Sequence, residues 1–137
     1  RDLHSFPTRR SSDLVQRLLN PQLNQAIARL GHTDAFAICD CGLPLPPKAK
    51  IIDLTLIHGV PSFEQVAEVI LKEVVIEKVT IATQTPDVIM NTLPSDVPVT
   101  QVDHEDFKKQ INDCTFVVRT GSTTPYANVI YHCGVSF

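Results

Sequence analysis

With 137 residues, 43% of them hydrophobic, the chain is long enough for one domain around a buried core. Twelve Lys and Arg against fifteen Asp and Glu give a formal net charge of -3, with the two signs interspersed. That pattern leaves no footprint for nucleic acid or a membrane surface, and no apolar stretch approaches the ~20 residues of a membrane span.

Residues 1–14 show neither helical nor strand periodicity, and no apolar run follows Arg9-Arg10 as an export signal requires. The tract resembles translated cloning or sequencing-adapter sequence. The expected division is therefore a non-native leader over 1–14 and one domain over 15–137. Leu19, Leu23, Ile27 and Leu30 then recur at helical spacing, with Gly31 placed to end the helix. Ala35–Cys39 is too short for a helix and suits a buried strand. Ile51–Ile57 reads as a second strand, closed by His58-Gly59-Val60-Pro61. Ser62 and Gln65 form a capping box for a helix that turns Phe63, Val66, Val69, Ile70 and Val74 inward. Lys78–Ala82 is a strand, Pro86–Leu93 a short helical stretch and Val97–Val102 an alternating strand. Asp103 caps a helix over Glu105–Asn112, and strands over Thr115–Val118 and Asn128–Tyr131 complete the set. Strands alternating with helices predict a single α/β domain with a mostly parallel sheet flanked by helices.

Four cysteines, Cys39, Cys41, Cys114 and Cys133, contain no Cys-x-x-Cys pair and no zinc spacing. They read as reduced thiols, mostly core filler, in a cytoplasmic protein.

Two polar islands bracket the first strand. His32 lies at its entry, in Gly31-His32-Thr33-Asp34, and Asp40 at its exit, before Gly42-Leu43-Pro44. Ligands of open α/β sheets gather at the carboxyl ends of strands, where Asp40 falls. Imidazole, with an ordinary pKa of about 6.5, is the natural acid or base at neutral pH. The competing readings are a helix-end charge for His32 and turn initiation for Asp40. Taken by itself, His104 within Asp103-His104-Glu105 belongs to an ordinary acidic first turn, and His58 reads as a solvated loop residue. In the cluster from Arg119 to Asn128, the small residues suit an anion nest but lack a P-loop lysine. Tyr126 and Asn128, two apart, face the same way if the chain is extended there, offering a phenol and an amide to sugar hydroxyls. Packing of polar residues at a sheet end is the alternative.

These islands, in this order, resemble the D-ribose pyranase family. The matching pieces are Leu19-Asn20, Arg29-Leu30-Gly31-His32-Thr33-Asp34, Asp40-x-Gly42-Leu43-Pro44 and Ile52-Asp53-Leu54. Gly59-Val60-Pro61-Ser62-Phe63, His104-Glu105-x-Phe107-Lys108, Arg119-Thr120-Gly121, Pro125-Tyr126-Ala127-Asn128 and Gly134-Val135-x-Phe137 continue the register. The sister group of fucose mutarotases typically reads Gly-His-Gly-Asp and lacks the Gly-Leu-Pro turn, so the ribose branch fits better.

The resemblance implies a cofactor-free isomerase with no metal, which interconverts pyranose and furanose D-ribose by acid/base ring opening. It implies His32 as proton donor and Asp40, His104, Tyr126, Ala127 and Asn128 as substrate-binding residues, with Lys108 as a secondary member of that set. It also implies a large cytoplasmic homo-oligomer with pockets near subunit contacts. The alternatives are a mutarotase for another sugar such as fucose and a non-catalytic sugar-binding domain. The chain departs from the family at Ser122, where glutamate is usual, at Cys41, where alanine is common, and in a shortened segment over 83–97.

Overall fold

A computed structural model describes residues 17–135. The leader expected over residues 1–14 lies outside these residues. The elements in chain order are α1 (Pro21–Ala28), β1 (Ala35–Cys39), β2 (Ile51–Asp53), α2 (Phe63–Leu71) and β3 (Ile76–Ala82). They continue with α3 (Asp87–Met90), β4 (Val99–Val102), α4 (His104–Ile111), β5 (Phe116–Arg119) and β6 (Val129–Cys133).

The six strands form one sheet in the order β2-β5-β1-β6-β3-β4. β1, β2 and β5 pair in parallel, as do β3 and β4, while β6 lies antiparallel between β1 and β3. Five strands thus end on the edge of the sheet where β6 begins. That one inverted strand carries the segment before it, residues 120–128, to the same edge as the exits of β1 and β5.

Successive residues of β1 face opposite sides of the sheet, which accounts for two apolar layers. Phe36 and Ile38 join a core with Leu23 of α1, Phe63 and Ile70 of α2, Ile89 of α3 and Tyr131 of β6. Phe36 stacks against Phe116 at 5.3 Å and Tyr131 at 5.1 Å between ring centroids. Ala37 and Cys39 face the other side, where Phe107 and Ile111 of α4 cover them. The domain is a sheet with helices on both faces.

Local chemistry explains most boundaries. Ser62 Oγ accepts from Gln65 N at 3.1 Å while Gln65 Oε1 accepts from Ser62 N at 2.8 Å, completing the expected capping box. Asp103 caps α4 by accepting from the Glu105 backbone at 3.1 Å. α1 starts later than the leucine spacing suggests. Asn20 is its N-cap and Pro21 its first residue, so Leu19 falls outside and is 86% exposed. β2 is only three residues long, because the chain turns away after Asp53 and leaves Leu56 and Ile57 exposed. β4 is an edge strand with three exposed residues, not an alternating half-buried one.

All four cysteines are free, and Cys39 and Cys133 are buried. Burial pushes the Cys39 thiol well up, and that of Cys114 to about 12, as inert core thiols require. Among the described residues no helix is long and apolar enough to cross a membrane.

Candidate active site

At the edge where five strands end, a cavity of about 450 Å³ opens to solvent. Asp40, His58, His104, Ser122, Tyr126 and Asn128 all contribute to its wall. Four of the residues singled out in the sequence are therefore brought together: Asp40, His104, Tyr126 and Asn128.

Asp40 leaves β1 and is fixed twice. Its backbone N–H donates to Asn128 Oδ1 at 2.9 Å, and its own Oδ1 accepts from Gly42 N at 3.0 Å. The second bond is the Asx turn expected of an Asp that initiates a turn. It occupies one carboxylate oxygen and leaves Oδ2 for the cavity. Asn128 is 2% exposed, and its one side-chain bond among the described residues uses its Oδ1. Its amide nitrogen keeps two hydrogens to offer a ligand.

His104 is the first residue of α4. Its ring packs against Phe107 (centroids 6.5 Å apart, 9° between planes) and meets Tyr126 edge-on at 5.0 Å and 88°. Its Nδ1 is buried with no hydrogen-bond partner among the described residues. An N–H at that position would go unsatisfied, so the neutral ring carries its proton on Nε2. His104 then presents a donor from a ring clamped by two aromatics. Tyr126 has φ 60°, in the left-handed region. The chain is thus not extended at Tyr126, and this tight turn rather than strand alternation brings it beside Asn128.

The wall between β5 and β6 is stitched to β1. Thr120 N and Oγ1 both donate to Cys39 O, at 2.9 and 2.8 Å, and Cys41 N donates to Ser122 O at 2.9 Å. Ser122 itself is buried. Its Oγ accepts from Thr124 N at 3.2 Å, so the small side chain braces the loop from within.

The other candidates fall elsewhere. Ala127 turns its methyl into the core, and its N–H donates to Thr124 O at 3.3 Å. Lys108 stands one turn along α4 from His104, outside the cavity wall, with Nζ 2.7 Å from Glu105 Oε2. His32 is exposed in the turn before β1. Asp34 holds that turn by accepting from Gly31 N at 2.8 Å and, through its carbonyl, from Cys133 N at 2.9 Å. The five residues of β1 separate it from Asp40, about 16 Å of strand at ~3.3 Å per residue. His32 therefore lies at the opposite edge of the sheet from the cavity formed by its own chain.

The residue that sequence reasoning missed is His58. It is exposed, as a solvated loop residue would be, yet it forms part of the cavity wall. Nothing in its immediate neighbours signals this, because the contact depends on how the loop after β2 crosses the loop after β5. Among the described residues no group of three His, Cys, Asp or Glu side chains is placed to hold a metal ion.

Residues 14–136 match the RbsD / FucU transport protein family. The chain belongs to this family. It is 54% identical over 120 residues to a D-ribose pyranase of Corynebacterium glutamicum (strain R), covering 88% of this chain and 96% of that protein. A D-ribose pyranase of Cutibacterium acnes is 48% identical over 124 residues, with the same coverage. Among solved structures, Bacillus subtilis RbsD complexed with D-ribose superposes with a TM-score of 0.84 at 38% identity, covering 90% of this chain and 99% of that one. The fucose mutarotase of Streptococcus pneumoniae in complex with L-fucose shares the fold, with a TM-score of 0.71 at 20% identity, covering 86% and 94%.

Proposed function

We infer that the chain is a sugar isomerase that exchanges the pyranose and furanose forms of D-ribose. The observation that carries this reading is the convergence of Asp40, His104, Tyr126 and Asn128 on one cavity, in a chain 54% identical to a D-ribose pyranase. The fucose alternative rests on a likeness at 20% identity, which speaks for fold alone.

The reaction opens a hemiacetal and recloses it through a different hydroxyl. Opening delivers a proton to the ring oxygen and removes one from the anomeric hydroxyl. Both steps are general acid–base chemistry, which contributes typically ~10²–10⁴-fold. The uncatalysed reaction already runs in water, so such a factor suffices without a covalent intermediate. In this proposal Asp40 Oδ2 accepts from a hydroxyl, His104 Nε2 and the Asn128 amide donate to others, and Tyr126 OH does either. Held in this way, the sugar presents its ring oxygen to an acid in a fixed direction.

His32 is the proposed acid, and it comes from another copy of the chain. Its own cavity lies across the sheet, whereas an exposed turn histidine is free to enter the open cavity of a neighbour. The apolar patch of Leu56 (74% exposed), Ile57 (62%) and Val60 (42%), beside His58, favours a subunit contact at that edge. The proposed assembly is a homo-oligomer with pockets completed across subunits.

Saturation-transfer NMR on ribose and fucose in parallel tests the activity. Transfer of magnetisation between pyranose and furanose ribose signals is the expected result. Line broadening without transfer would instead identify a binding domain. A further outcome is expected for Asp40→Asn, which keeps the acceptor for Gly42 N but removes the charge facing the sugar. A hydrogen bond to a charged group is worth about 1.5–3 kcal/mol, so ribose affinity should fall at least roughly tenfold. Titration calorimetry beside a melting curve checks this. Unchanged affinity with a collapsed melting temperature would reduce Asp40 to a turn residue.

A further inference from the structure

We propose that His58 is a further sugar-binding residue of this site, hydrogen-bonding a hydroxyl of the bound pentose at the mouth of the cavity. The proposal rests on the ribose reading above and adds to it a residue on a separate loop, the connection between β2 and α2.

Position is the first argument. An exposed histidine on a loose loop would be solvated and of no consequence, but this loop is clamped. Thr55 Oγ1 donates to Thr120 O at 2.8 Å, Gly59 N to Gly121 O at 2.6 Å and Gly121 N to Pro61 O at 2.8 Å. The turn itself is closed by Val60 N donating to Ile57 O at 3.0 Å, with Gly59 at φ 84°. That conformation is one glycine adopts without penalty. His58 is therefore carried on a backbone tied on both sides to residues 120–121, which lead directly into the Ser122–Asn128 wall. His58 thus joins the cavity wall on the same framework that carries Tyr126 and Asn128.

The second argument is unspent bonding capacity. One Asp40 oxygen is committed to Gly42 N and the Asn128 oxygen to Asp40 N, and His104 Nδ1 is buried without a partner among the described residues. Among the described residues the His58 side chain makes no hydrogen bond or ion pair. In its neutral form it offers one donor and one acceptor, the pairing a sugar hydroxyl can satisfy from either side.

A binding role makes a specific claim about which substitutions matter. Proton transfer would require imidazole, whereas a hydroxyl contact requires only a donor and an acceptor. Glutamine has both.

The test compares wild type, His58→Ala and His58→Gln as full chains, following pyranose–furanose exchange over a ribose concentration series. His58→Ala should raise the ribose concentration for half-maximal exchange roughly two- to tenfold, the span of one neutral hydrogen bond. Its maximal exchange rate should stay close to wild type, and His58→Gln should recover most of the lost affinity. A second measurement needs no altered folding. The His58 ring protons, assigned by their absence from the His58→Gln spectrum, should shift when ribose is added to the wild type. Half-saturation in His58→Ala equal to wild type, or ring protons indifferent to saturating ribose, overturns the proposal. So does His58→Gln failing as badly as His58→Ala with the maximal rate lost, because that marks a proton carrier. Failure of the wild type itself to exchange ribose would strike the functional reading, and the ring-proton titration would still decide whether His58 touches the sugar.

Discussion

Replacing His32 with alanine should lower pyranose–furanose exchange by about two to four orders of magnitude, the usual contribution of a general acid. Folding should be unaffected, because His32 is exposed in a turn held by Asp34 and by backbone bonds, none of which uses its ring. Asn128→Ala should also be inactive, for a different reason. It deletes the amide that both faces the cavity and accepts from Asp40 N. Mixing the two inactive proteins separates a shared site from an internal one. His32 and Asn128 lie at opposite edges of the sheet, so a contact that pairs an intact His32 with an intact cavity can form between the two variants. Random pairing at equal amounts makes about a quarter of such contacts whole, whether the interface is isologous or head-to-tail. Exchange activity recovered to that order, after subunit mixing has been verified by mass or labelling, is the expected result. No recovery would place the acid somewhere other than His32 of a neighbour.

That experiment probes the part of the site least visible in one chain. The sheet-end residues were legible because strand ends have a general chemistry. Asp40 after an apolar strand, and the polar run before the last strand, both fall where α/β sheets collect ligands. Their convergence was not legible, since it depends on β6 running against its neighbours, and hydrophobic periodicity identifies a strand without giving its direction. His104 illustrates the opposite case. Local rules describe an acidic first turn of a helix, which α4 has, and they say nothing of a ring fixed between Phe107 and Tyr126. The run Ile51–Ile57 read as strand throughout because apolar residues fill five of its seven positions. Only Ile51–Asp53 pairs with β5; Leu54 still packs against the core, and beyond it Leu56 and Ile57 are exposed. The α1 boundary was readable in principle. Asn20 followed by Pro21 is a stronger start signal than the leucine spacing, because a cap and a first-turn proline act on the backbone directly. His58 had no signal of its own. Its place depends on a crossing between two loops, and the residue that permits the crossing is Gly121.

Gly121→Ala should therefore meet the closest contacts of any glycine-to-alanine change in the chain. A Cβ there would overlap the Val60 carbonyl oxygen and lie 2.6 Å from Val60 C and 2.7 Å from Ile57 O. These are backbone atoms of the turn that carries His58, so no side-chain rotation relieves the clash. Either the turn or the 120–122 segment must move, at the expense of the bonds from Gly59 N to Gly121 O and from Gly121 N to Pro61 O. Overpacking of this kind costs typically about 1–3 kcal/mol. For a domain of this size that corresponds to a fall in melting temperature of roughly 4–12 °C. Ribose affinity should fall with it, because Ser122, Tyr126 and Asn128 follow directly from the displaced segment. Gly42→Ala provides the control for stability. The nearest atom to a Cβ at that position is Asp40 Oδ1 at 3.8 Å, an ordinary contact, so its melting curve should match wild type. If Gly121→Ala melts with the wild type and exchanges ribose at the same rate, the loop crossing is looser than these distances describe. His58 would then lose the anchor that places it over the sugar.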